Sequence, residues 1–213
     1  MIEVLLLLPL LQEKQPADDP AWLRFKTGTW IRNVVTVDDA GFSGQGVQTL
    51  RLSQRDGEKY TIEESSTLSL EGRPSFHRTT LPVKSGTGAV TVDGKSIACT
   101  IWTAKGERDD HPTETSTWIP DGGKEPIRMT FKQAGAEGDV SAVSLKETVR
   151  IGDRTFTCVK LEGKITTTRG KGTLTIWTSP EIPGGQVRMD LALATPEGKV
   201  KFNVEPLEVH EEK

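Results

Sequence analysis

Three tryptophans, Trp102, Trp118 and Trp177, sit in stretches that alternate in polarity: KSIACTIWT, TETSTWIP and GTLTIWT. An indole buries a large apolar area and keeps one N–H donor. On a strand it therefore suits either core packing or the wall of a site for an apolar ligand. The residues two and four positions away share its side of the strand. Around Trp118 these are Glu114 and Ser116, and around Trp177 they are Thr173 and Thr175. Such polar companions are unusual for a core face, so the three tryptophans are candidate ligand-binding residues.

The chain has 3 histidines, His77, His111 and His210. Asp109, Asp110 and His111 stand side by side, but consecutive residues rarely converge on one ion, and the remaining ligands would have to come from elsewhere. DDHP therefore reads as a solvated loop. Glu63 and Glu64 are adjacent on a strand, so their carboxylates face opposite ways and cannot act on one bond. There is no G-x-S-x-G, P-loop, dinucleotide glycine motif or H-E-x-x-H. SGTGAV (85–90) lacks the lysine and helix of a phosphate loop, and RGKGT (169–173) reads as a basic hairpin loop. No catalytic residue, metal or cofactor is expected, and the protein is read as a non-enzyme.

The elements that position the tryptophans are strands. From Trp30 to Val37 the chain is rich in β-branched residues without helical period. VQTLRLS (47–53), YTIEESSTLSL (60–70) and SFHRTTLPV (75–83) follow, separated by turn residues. In the 60–70 stretch, Tyr60, Ile62, Leu68 and Leu70 share a face. Asp93-Gly94 and Gly152-Asp153 each sit between two strand-like runs and predict two-residue hairpins of the primed type. Period two places Val143, Leu145, Val149 and Ile151 on one face. It does the same for Ile127, Met129 and Phe131, and for Val187, Met189, Leu191 and Leu193. No amphipathic helix is evident after residue 21.

The second half writes one phrase twice. TSTWIPDGGKEPIRM ends at Met129 and LTIWTSPEIPGGQVRM at Met189. Val92 aligns with Ile151, Ile97 with Phe156, Cys99 with Cys158 and Trp118 with Trp177, each pair 59 apart. One extra residue in the second Gly-Pro turn makes the Met129–Met189 offset 60. This suggests a duplicated four-strand unit, about 89–132 and 148–193. The alternative is two unrelated hairpin pairs with similar β patterning.

Composition narrows the class. In 213 residues, 34% are apolar and 27% charged, a mix that fits a sheet with one wet face. The net charge of −3 and a pI near 5.7 supply no basic excess, so nucleic acid is not an expected partner. The N-terminal run Val4–Leu11 is too short to span a bilayer. It has the length of a signal-peptide core, although Glu3 replaces the usual basic start; an apolar strand is the alternative. Residues 1–21 are read as this signal-like segment and a linker, and 22–213 as a single β domain. Cys99 and Cys158 are either a disulfide or two buried thiols.

The two phrases, TWIPDGGKEPIRM above all, resemble a hairpin of the bacterial envelope lipoprotein-carrier (LolA/LolB-type) superfamily and its uncharacterised exported relatives. That resemblance covers roughly residues 90–205 and implies an unclosed, strongly curved antiparallel barrel with a hydrophobic concave side. The chain departs from it in offering no helix to plug that side. The expectation is an all-β fold: a curved antiparallel sheet or unclosed barrel of about ten to twelve strands. The expected function is that of an exported periplasmic or secreted protein, not membrane-spanning. It binds an apolar small molecule, a lipid or an envelope component in a concave sheet. The alternative is a structural module that pairs with an envelope protein through an exposed strand edge.

Overall fold

The structure is a computed structural model that describes residues 22, 24–39, 42–57, 59–67, 76–108, 111–133 and 135–212. The signal-like run, the linker, Leu68, Leu70 and the Asp109-Asp110 pair lie outside the described residues. Among those described there are twelve strands. They are β1 (Trp30–Asp39), β2 (Phe42–Asp56), β3 (Lys59–Ser66), β4 (Phe76–Val92), β5 (Lys95–Arg108) and β6 (His111–Pro120). Next come β7 (Arg128–Gln133), β8 (Ala136–Ile151), β9 (Arg154–Thr167), β10 (Gly170–Thr178), β11 (Gln186–Thr195) and β12 (Gly198–His210).

Each strand pairs antiparallel with the one before and after it. The expected curved antiparallel sheet is present, and its curvature runs on to closure. β1 bonds β2 on one side, with Trp30 opposite Arg51, and β12 on the other, with Trp30 opposite His210. A ring of about eight strands has an interior that side chains just fill, so twelve enclose more width than one layer of side chains can occupy. β4 reaches β8, which is not its neighbour in the ring.

The inner face is built by alternation. Ile127, Met129 and Phe131 are at most 3% exposed, and Val187, Met189, Leu191 and Leu193 at most 2%. With Val140, Leu161, Leu174, Phe202 and others, most of these form the first apolar cluster. Each fully buried side chain of this size contributes roughly 1.5–3 kcal/mol. A second cluster gathers Trp22, Ile31, Leu50, Leu52, Tyr60, Phe156, Cys158, Trp177, Ile182 and Val187.

The hairpin turns form as their residues dictate. Asp93 has φ 50° and Gly94 φ 73°, the two positive values that a type I′ turn needs. In the doubled phrase, Gly122 and Gly184 take φ 75° and 79°, conformations that a Cβ disfavours. One expectation fails. Val143 and Leu145 do not share a face with Val149 and Ile151. Bulges between Ala142 and Ser144 and between Ser144 and Glu147 break the period. Val143 and Leu145 are exposed, while Val149 and Ile151 pack against the second cluster.

Positions 59 residues apart hold equivalent places. Val90 faces Ile97 as Val149 faces Phe156, and Gly88 faces Cys99 as Glu147 faces Cys158. Trp118 stands opposite Arg128 as Trp177 stands opposite Arg188. The thiols do not meet. Cys99 belongs to the first cluster and Cys158 to the second, both buried and both free.

Candidate functional site

Directly opposed residues of an antiparallel pair share a face of the sheet. Trp102 opposes Thr117, which opposes Met129, so all three face the barrel interior. Trp118 opposes Ile101 and Arg128 and lies on the other face. Trp177, opposite Lys160 and Arg188, also turns away from that surface and packs into the second apolar cluster. The three tryptophans therefore do not line one site.

Each of these two indoles is flanked by charges. The Arg128 guanidinium lies 4.8 Å from the centre of the Trp118 ring. Its Nε and Nη2 donate to the Asp139 carboxylate at 3.1 and 2.7 Å, and this hydrogen bonding raises the guanidinium pKa. Trp177 is only 8% exposed. Its Nε1 donates to Glu147 Oε1 at 3.0 Å, and Lys160 and Arg188 stand 5.4 and 5.1 Å from its ring. Hydrogen bonding to Glu162 is the main reason the Lys160 pKa is raised. Both indoles are braced by cations of their own chain.

Trp102 differs. It points inward yet is only partly buried, and it joins neither apolar cluster. The inner surface beside it comes from β5, β6 and β7: Trp102, Ala104, Thr115, Thr117, Met129 and Phe131. Thr115 and Thr117 are 1% and 0% exposed. Their Oγ1 atoms have no hydrogen-bond partner among the described residues. A buried hydroxyl left this way costs about 1–3 kcal/mol. The positions 59 residues later are Leu174 and Ile176, both buried and apolar. Sequence reasoning passed over these threonines. Alternation through TETSTWIP places Thr113, Thr115 and Thr117 on the side away from Trp118, and that was the available signal.

A second polar group faces inward from β1, β2 and β3. Gln48 Nε2 donates to Glu64 Oε1 at 2.8 Å, and Asn33 Nδ2 to Gln48 Oε1 at 3.4 Å. Glu64 is buried and Glu63 is not, so the adjacent carboxylates do face opposite ways. His77 lies in β4 opposite Glu63, and His111 opens β6. Among the described residues no group of three or more His, Cys, Asp or Glu is placed to hold a metal.

Among the described residues the outer face carries open grooves. One, of about 550 Å³, is bounded by Glu114, Ser116, Lys132, Asp139 and Lys164; another, of about 400 Å³, by Thr175, Asp190, Lys201 and Asn203. Mixed charge open to water offers little to an apolar ligand. It also differs from the apolar belt, about 25 Å tall, of a barrel that crosses a membrane. No helix among the described residues is long and apolar enough to cross one.

No family model matches the chain, and no curated protein matches it. Among solved structures, a Bacteroides fragilis protein thought to be exported, with a YmcC-like fold, aligns with a TM-score of 0.46 and 15% identity. The alignment covers 88% of this chain and 97% of that one.

Proposed function

We propose that this chain is a non-enzymatic barrel protein that takes an apolar small molecule into its interior, against the half-open indole of Trp102. One observation carries the reading: Trp102 points into the barrel, still meets solvent, and packs into neither apolar cluster. An inward indole with accessible surface needs open space in front of it, and such a space lined by an aromatic ring suits an apolar guest. The width of a twelve-stranded ring supports the same reading. The apolar run Val4–Leu11 supports export as the setting.

The alternative is pairing with a protein partner through a strand edge. The ring is closed, but among the described residues β4 from Leu81 to Val92 is laddered only to β5, and β8 from Ser144 to Ile151 only to β9, so these hairpin extensions are the edges on which that reading rests. Native mass spectrometry of protein purified from its own host is the direct test. A co-purifying apolar molecule, released on unfolding, is the expected result. Protein that emerges empty, and that fails to bind a hydrophobic dye or a long-chain alkane, sinks the proposal.

A further inference from the structure

Beyond the interior site, we infer that the free edge of β4 over residues 85–92 is a dimer interface. Its occupant is the same edge of a second copy of this chain, added antiparallel about a two-fold axis at Thr87. Among the described residues this stretch is laddered to β5 alone. Such an edge turns the N–H and C=O of alternate residues away from the sheet, where another strand can bond them. β4 also comes near β8, but it forms no ladder with it. Alternation divides the side chains of the stretch. Val90 and Val92 are buried in the first apolar cluster, while Ser85, Thr87, Ala89 and Thr91 are exposed.

The duplicated hairpin shows what sets this edge apart. Over residues 144–151, β8 is likewise laddered to β9 alone. At an offset of 59, Thr87 stands where β8 has Lys146, Gly88 where it has Glu147, and Thr91 where it has Arg150. Charged side chains on an edge strand oppose pairing with another chain. A two-fold axis sharpens this, because it sets the strand against itself. On β8, an axis at Lys146 or at Glu147 opposes that residue to its own copy, and an axis at Thr148 opposes Lys146 to Arg150. Each brings like charges face to face, which is destabilising. Residues 85–92 carry no charge. One hairpin edge is guarded and its counterpart is bare.

The register follows from the ends of the stretch. With the axis at Thr87, Ser85 opposes Ala89 of the second copy, and Val83 opposes Thr91. Lys84 falls opposite Val90, so no two charges are opposed. Thr87 meets its own copy, and threonine pairs across strands are favourable. Val83, 57% exposed in the single chain, gains a cover. Pro82 has no N–H to give and ends the ladder on one side, and the Asp93-Gly94 turn ends it on the other. A charged peptide finds nothing on residues 85–92 to select it. An uncharged edge of small and β-branched residues is complementary to itself, which is why the occupant is a second copy.

The test is sedimentation equilibrium of the full-length protein at up to about 100 μM, where a dimer of micromolar affinity is populated. Wild type should sediment as a dimer. Thr87→Lys with Thr91→Arg copies the charges of β8 onto β4 and sets two ammonium groups face to face at the axis. It should weaken the dimer about tenfold or more. At dilution, where both proteins are monomers, its unfolding temperature should match wild type, because β8 already carries Lys146 and Arg150 at the equivalent places. Thr87→Cys under mild oxidation should give a covalent dimer, and Lys146→Cys should not; the native Cys99 and Cys158 are buried and stay out of the reaction. A wild type that is monomeric throughout, a dimer that survives the Thr87/Thr91 change, or cross-linking through Lys146→Cys instead of Thr87→Cys overturns the inference. So does a Thr87→Cys protein that links, in extract of its host, only to a different protein, which would assign the edge to a foreign partner. None of these outcomes bears on the site at Trp102.

Discussion

The indole Nε1 of Trp177 donates to the carboxylate of Glu147 at 3.0 Å. At the corresponding place 59 residues earlier stands Gly88, and Trp118 leans into the space its side chain would take. A Cβ built there would lie 3.3 Å from Trp118 Nε1. The same strand geometry thus holds one tryptophan by a charged partner and lets the other lie over a glycine.

Trp177→Ala should cost about 3–5 kcal/mol, because it empties a buried site and strands the Glu147 acceptor. Trp118→Ala should cost clearly less, since its ring already meets solvent. Guanidinium unfolding curves of the two variants check this, and equal losses would contradict the packing described.

Trp102→Ala should act on binding and barely on the fold. Its affinity for a hydrophobic dye should fall roughly tenfold, as expected for an aromatic anchor. Dye titration against wild type is the measurement. An unchanged affinity would remove Trp102 from the site.

Stability should decline in alkali for an identifiable reason. Burial, with the nearby Glu125, Glu147 and Glu181 carboxylates, pushes the Cys158 thiol from 9.0 up to about 12. Burial also raises the Tyr60 hydroxyl above its usual 10.0. The folded state holds these protons more tightly than the unfolded state. The stabilisation is therefore complete below pH 9.0 and drains away as pH rises from there towards about 12. Urea unfolding across that range should show a shallower decline for Cys158→Ala and for Tyr60→Phe than for wild type.

Neither thiol should react with a bulky disulfide reagent in the native protein, and both should react once it is unfolded. Cys99 and Cys158 are each 1% exposed and lie in separate clusters. A native titration that finds an oxidised pair would contradict this arrangement.

Asp39 ends β1 and is tied to Arg169, in the turn between β9 and β10, at 3.1 Å, with side-chain exposures of 4% and 18%. Removing one partner leaves the other charge nearly buried, so Asp39→Ala should cost about 3–5 kcal/mol. The double change Asp39→Leu with Arg169→Met should recover part of that loss. A double-mutant cycle by thermal unfolding reads the coupling.

Much of this protein was legible residue by residue. Ile127, Met129 and Phe131 announced a core-facing strand, and Asp93-Gly94 announced its hairpin, because both depend on contacts within a few residues. Val143 and Leu145 were misplaced because a bulge is set by how two strands meet, and nothing local marks it. Thr115 and Thr117 were passed over because a threonine on a strand looks the same whether it ends in water or in a sealed wall.

Alone, the sequence determined the strands, their turns and the side of each strand on which apolar residues lie. These follow from a period of two, which is a property of the extended backbone itself. The tertiary structure decided that β1 meets β12 across 180 residues, Trp30 to His210, and so closes the ring. It also decided which side of each strand became the inside. Closure is the sum of twist and bend over twelve strands, a quantity no single stretch carries. That sum turned Trp102 towards the interior, set Trp118 against the first apolar cluster and buried Trp177 in the second.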